Sequence, residues 1–130
     1  MNILDENIIE SQRQLLRAWR VRHKQIGRGI GQKGMKDQEQ IIPLLQSLVG
    51  PVLFTRDMGF YNWRLCHQKY CIAYLAVAAN EAAVFIRRFL RHSQFDTRAK
   101  RMGKVVRLSQ TGISFWRLNF QKEVRLVWRE

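Results

Sequence analysis

The stretch Val52-Leu53-Phe54-Thr55-Arg56-Asp57 decides how the rest of the chain is read. Its first four residues are apolar or β-branched with no polar alternation, the pattern of a short strand buried on both faces. Such strands belong to parallel sheets covered by helices, and this one ends on Arg56-Asp57. Asn2-Ile3-Leu4, ending at Asp5, has the same form, and residues 71–77 supply another run. Helical patterns lie between. Over residues 8–22, Ile8, Leu15, Leu16 and Trp19 form one stripe, with Arg13, Arg17 and Arg20 outside it. Residues 21–26 hold a second short strand, and the glycine-rich residues 27–34 read as a loop. Asp37 followed by Gln40 is a capping-box pattern. It opens a helix carrying Ile41, Leu44, Leu45, Leu48 and Val49 that stops at Gly50-Pro51. Pro43 predicts a kink or a later start in that helix. Asn80 is read as the cap of a third helix through residue 92, with Ala82, Phe85, Ile86, Phe89 and Leu90 on its core stripe.

Strands alternating with helices predict an α/β fold with a parallel sheet flanked by helices. The tail reads differently. Val105 to Ser109 and Ile113 to Leu118 flank the turn Gln110-Thr111-Gly112, and Val124, Leu126 and Trp128 alternate after them. Residues 104–130 are therefore expected to be an antiparallel β addition to a single domain spanning 1–130.

At 130 residues and 46% hydrophobic composition, the chain has the size and the apolar content for one core. Its 23 Lys and Arg against 10 Asp and Glu give a formal charge of +13. That excess favours a polyanionic partner: nucleic acid, an acidic protein or an anionic membrane. The charge is unevenly spread. Residues 1–60 carry 9 bases and 6 acids (+3), and residues 61–130 carry 14 and 4 (+10). The longest apolar run, residues 71–79, is far short of the ~20 needed to span a bilayer. The opening residues have no basic stretch leading into a long apolar one, and the two cysteines, Cys66 and Cys71, make no disulfide framework. A cytoplasmic location is expected, with no membrane partner.

Three acids fall where α/β folds put their sites. Asp5 and Asp57 follow strands, Asp37 opens a helix, and Glu6 and Glu39 are near them in sequence. Carboxylates gathered in a crevice repel one another unless a cation neutralises them, and hard oxygen ligands suit Mg²⁺ or Mn²⁺. Such an ion activates water against a phosphodiester. Each acid also has a plainer role open to it: Asp37 as a helix cap, Asp57 as a turn residue, Glu6 and Glu39 as solvated charges.

Ile3-Leu4-Asp5-Glu6-Asn7, Asp37-Gln38-Glu39-Gln40-Ile41-Ile42 and Leu53-Phe54-Thr55-Arg56-Asp57-Met58-Gly59-Phe60 together resemble the PIN-like nucleases, in particular a small bacterial group with a DEN start and a T-R-D-x-D-F strand end. The resemblance covers residues 1–80. It implies a Rossmann-like PIN fold, metal-dependent ribonuclease activity and kinship to VapC-type toxins of toxin–antitoxin pairs. Carried over by position, Asp5, Asp37 and Asp57 are the catalytic, metal-holding carboxylates. The family's second acid after the strand falls at Gly59, so one ligand is missing unless Glu6, Glu39 or Asn62 replaces it.

Residues 81–103 form a basic helix and loop. Arg87, Arg88, Arg91, Arg98, Lys100, Arg101 and Lys104 are read as a phosphate-binding surface for RNA. Phe60, Tyr61, Trp63 and Arg64 are candidates for base stacking, although aromatics so placed are more often core. Gly29-Ile30-Gly31-Gln32-Lys33-Gly34 matches the dinucleotide fingerprint literally, but it neither follows a firm strand nor opens a helix. A loop touching phosphate beside the carboxylates is the better reading. Cys66, His67 and Cys71 fit no common zinc spacing. The sequence thus points to a Mg²⁺- or Mn²⁺-dependent ribonuclease whose partners are RNA, an acidic antitoxin and a second copy of the chain. The alternative is a degenerate PIN-like module that grips RNA or protein without cutting. An NAD-binding enzyme is a distant third.

Overall fold

The computed structural model describes residues 1–35 and 37–128. Arg129 and Glu130, the end of the expected β addition, lie outside the described residues. The elements run β1 (Asn2–Leu4), α1 (Glu10–Ala18), β2 (Lys24–Ile26), β3 (Gly29–Ile30), α2 (Gln38–Ser47), β4 (Val52–Thr55), β5 (Cys71–Leu75), α3 (Ala82–Arg91), α4 (Arg98–Arg101), β6 (Lys104–Ser109), β7 (Gly112–Arg117) and β8 (Val124–Leu126). All eight strands form one sheet in the order β3-β2-β1-β4-β5-β6-β7-β8.

The unbroken apolar runs do what parallel strands require. Neighbouring residues point to opposite faces, so each strand feeds two cores. Leu4, Val52, Phe54, Ala73 and Val106 pack with α1 and α3 on one face. Ile3, Leu53, Ile72 and Val105 pack with Ile41 and Leu45 of α2 on the other. The result is a three-layer α/β/α body.

β3, β2, β1, β4, β5 and β6 are parallel, and β7 and β8 are added by antiparallel pairing. The expected antiparallel addition is therefore shorter than residues 104–130. β6 is the sixth parallel strand, reached from β5 by the α3 crossover, and only β7 and β8 form the antiparallel edge.

The helix read over residues 8–22 is the shorter α1. Ile9 is extended, and at the other end Arg20 takes a left-handed backbone (φ 61°). The Arg20 N–H donates to the Arg17 carbonyl and the Val21 N–H to the Leu16 carbonyl, which is a Schellman stop built without glycine. α2 begins after Asp37 as the capping pattern predicts, and Pro43 is accommodated on its exposed side. Asn80 is not the cap of α3. A 3-10 turn (Ala79–Glu81) precedes that helix. One of its first amides, Ala83 N–H, donates to the buried Gln12 Oε1 of α1 at 2.9 Å. The stretch around Arg98 is helix α4, capped by Thr97, rather than loop. Among the described residues no helix is long and apolar enough to cross a membrane.

Candidate functional site

The strand order reverses direction at β1. The chain moves outward from β1 to β2, then crosses back to β4 on the other side. In open α/β sheets the crevice for a ligand lies at such a switch point, outside the carboxyl ends of the strands. Here those ends are Leu4 and Thr55, and the residues flanking the crevice are Asp5 and Asp57.

Asp5 continues the β1–β4 ladder, its N–H donating to the Phe54 carbonyl at 2.9 Å. The residue is only 6% exposed. The Thr55 hydroxyl donates to Asp5 Oδ2 at 2.6 Å, and the Glu6 N–H donates to Oδ1 at 2.8 Å. Thr55 Oγ1 also accepts the Asp57 N–H at 3.0 Å, so one hydroxyl ties the two aspartates together. Asp57 Oδ1 accepts the Gly59 N–H at 2.9 Å and leaves the rest of this exposed carboxylate free to face solvent. Burial raises the Asp5 pKa above the ordinary aspartate value. The bonds from Thr55 and Glu6 N–H oppose that shift, and the charges of Asp57 and Glu6 add to it.

Glu6 ties the glycine-rich loop to this edge, its Oε1 accepting the Gly34 N–H at 2.7 Å. The loop is thus beside the carboxylates, as its sequence suggested. Gln25 fixes the turn between β1 and α1 from below. Its Nε2 donates to the carbonyls of Asp5 (3.1 Å), Ile8 (3.0 Å) and Glu6 (3.4 Å).

The structure brings Asp5, Glu6 and Asp57 into one field. Asp37 and Glu39 lie at the exposed start of α2 and, among the described residues, complete no cluster of three acids with them. Asp37 is a helix cap, its Oδ1 accepting the Gln40 N–H at 3.0 Å. α2 still meets the site, because Gln38 Nε2 donates to the Gly59 carbonyl at 2.7 Å. A Cβ added at Gly59 would lie 3.2 Å from Asp57 Oδ1 and 3.8 Å from Gln38 Nε2, so this position faces the aspartate. Among the described residues, no three His, Cys, Asp or Glu side chains are close enough together to hold a metal ion by themselves.

The seven cations of the late segment differ in how far they are already engaged. The Arg87 guanidinium lies 3.7 Å from the Trp19 ring centroid, and that of Arg88 lies 4.2 Å from Trp128 and 5.1 Å from Phe85. Arg91 and Arg98 are exposed. Lys100 is paired with Asp96 at 2.9 Å and donates to the Ser93 carbonyl. Arg101 donates to the Phe95 carbonyl, and Lys104 to the Lys100 carbonyl while covering Phe95 and Phe115. Lys104 opens β6, and the neighbouring Gly103 N–H donates to the carbonyl of Tyr70, the residue before β5. Residues 98–104 therefore sit at the amino edge of the parallel sheet, opposite Asp5 and Asp57.

Of the stacking candidates, Phe60 is core, and the Tyr61 hydroxyl is held by Glu123 and Ser114. Trp63 is 56% exposed, with Arg64 at 5.4 Å from its ring. Cys71 is buried in β5, and burial pushes its thiol up to about 12.

Thr55, Gln25 and Gln38 are the site residues to which sequence reasoning gave no role. Only Thr55 had a signal, a hydroxyl at a strand end two residues before an acid. No protein-family description, curated protein sequence or solved structure matches the chain.

Proposed function

We propose that the protein is a PIN-like, divalent-metal-dependent endoribonuclease of the cytoplasm. The observation that supports this reading is the pairing of Asp5 and Asp57 across the switch point through Thr55. A carboxyl group with raised proton affinity, beside two more negative charges, is a site short of positive charge. Mg²⁺ or Mn²⁺ suits that donor set. Asp5 and Asp57 would offer the ion its protein oxygens, two carboxylates being enough for Mg²⁺ when water and a substrate phosphate complete its shell, with Glu6, Asp37 and Glu39 as further candidates. When bound, the ion supplies Lewis-acid stabilisation at the phosphodiester and makes a water more acidic.

The chain's own residues prepare that site. Thr55 and the Glu6 N–H orient Asp5, the Gly59 N–H orients Asp57, and Gln38 pins the loop that carries Gly59. RNA is the substrate class that the +13 charge favours. An acidic antitoxin would compete for the same charge, and a second copy of the chain is a further candidate partner. The test is RNA cleavage in Mg²⁺ or Mn²⁺ by wild type and Asp57→Asn. Loss of cleavage in the variant is expected, and equal cleavage by both would overturn the assignment.

A second reading, a PIN-like module that binds without cutting, is favoured by one observation. Gly59 supplies no carboxylate at a position that faces Asp57. It predicts salt-sensitive RNA affinity with no strand scission at any divalent-ion concentration.

A further inference from the structure

Two adjoining cavities run from the outer side of α1 to the carboxyl edge of β2. One, of about 340 Å³, is lined by Arg13, Arg17, His23 and Lys24 among others. The next, of about 510 Å³, is lined by Arg13, Arg28, Lys33 and Glu6 among others. They share Arg13, Gln25 and Arg28, so they form one continuous groove, and its upper end reaches Glu6 and Gly34 beside Asp5. We infer that this groove is the track for a single-stranded RNA, leading to the Asp5–Asp57 crevice.

The charge arrangement carries the argument. Arg13 and Arg17 are four residues apart on α1 and so share one face of the helix. Lys24, Arg28 and Lys33 continue the row on the strand and loop side. Arg17, Lys24, Arg28 and Lys33 are exposed, and none has an ion-pair partner among the described residues. Arg13 is half-buried and anchored by Nη1 to the Ile8 carbonyl at 3.0 Å, leaving the rest of its guanidinium fork available. Glu6 and Glu10 are the acids that border the groove. Glu6 lines the cavity next to Asp5, and Glu10, which opens α1, lines the other. A row of unpaired cations along an open groove matches an anion that repeats, as a phosphate backbone does, better than a single small anion. The late segment lacks this property. Five of its seven cations are engaged by aromatic rings, Asp96 or backbone carbonyls, which leaves the exposed Arg91 and Arg98, and residues 98–104 are at the far edge of the sheet.

This track rests on the RNA reading above but is read out without catalysis. The experiment measures the anisotropy of a labelled single-stranded oligoribonucleotide in EDTA over a salt series. It compares wild type, the triple variant Lys24→Gln/Arg28→Gln/Lys33→Gln and the far-edge pair Arg98→Gln/Lys100→Gln. A second groove variant, Arg17→Gln/Arg28→Gln, changes exposed side chains only, and circular dichroism checks that each variant is folded. The groove variants should bind at least about tenfold more weakly, with the slope of log K against log salt reduced by ~0.7 for each phosphate that the variant no longer neutralises. The far-edge pair should match wild type.

Wild-type affinity in both groove variants overturns the inference. So does weakening confined to the far-edge pair, or a wild-type protein that binds polyglutamate more tightly than RNA. Retained Mn²⁺-dependent cleavage alongside any of these results would leave the ribonuclease reading standing, so the two failures are distinguishable.

Discussion

The Thr55 hydroxyl donates to Asp5 Oδ2 at 2.6 Å while accepting the Asp57 N–H at 3.0 Å. β4 thus supplies the group that sets the geometry of both acids, and Thr55 itself is fully buried. In Thr55→Val the shape is kept and both bonds disappear. Asp5 keeps only the Glu6 N–H, so its pKa rises further, and the Asp57 N–H is left without its acceptor. The expected cost is about 1–3 kcal/mol in urea unfolding, with weaker Mn²⁺ binding by calorimetry. Thr55→Ser should restore both, and a valine variant with wild-type stability and Mn²⁺ affinity would remove Thr55 from the site.

Asp5 also makes the stability of the protein depend on pH with a definite sign. Its pKa is higher in the folded state than in the unfolded chain. Between those two values the folded state binds more protons, so stability falls as pH rises. Below the ordinary aspartate value of about 3.9 the penalty is absent, and above the raised folded value it is fully present. Asp5→Asn should therefore melt higher than wild type at neutral pH, and the gap should close as pH falls toward that lower limit. Mn²⁺ should raise the wild-type melting temperature at neutral pH and leave the variant unchanged. A pH-independent gap between the two proteins would contradict this account.

Gly59 offers a gain-of-function test. Its backbone is outside the left-handed region, so a side chain meets no backbone strain there. An added Cβ would stand 3.2 Å from Asp57 Oδ1, which asks for a shift of a few tenths of an ångström. Gly59→Asp should raise Mn²⁺ affinity and RNA cleavage together while lowering stability in EDTA, because it adds a like charge beside Asp57. Lower stability in EDTA with no gain in Mn²⁺ affinity would show that position 59 does not belong to a metal centre.

Arg87 and Arg88 are expected to act through packing. Arg87→Ala removes a cation held 3.7 Å from the Trp19 ring centroid, where α3 meets α1. The loss should be about 1 kcal/mol of stability. RNA affinity should change no more than the removal of one remote charge allows. A variant of unchanged stability that binds RNA many-fold more weakly would return Arg87 to the nucleic-acid surface.

The sequence by itself determined the layers and the positions of the acids along the chain. Val52–Thr55 was legible because three apolar residues and a β-branched one without alternation are a property of chain neighbours alone. The Asp37 cap and the β6–β7 turn were legible for the same local reason. Placement across the fold was not legible. β6 reads like one arm of a hairpin, which it is, yet only the α3 crossover decides that its other neighbour, β5, is parallel to it. The surplus of cations after residue 60 suggested a polyanion surface there. Charge along a chain does not say which edge of the sheet receives it, or whether a ring or carbonyl already engages it. Tertiary structure decided both. It turned residues 98–104 to the amino edge and left the open basic groove beside β2, where the less charged half of the chain meets the carboxylates. Thr55 and Gln25 likewise gain their roles only when strands distant in sequence are set side by side, because a hydrogen bond depends on distance in space rather than separation along the chain.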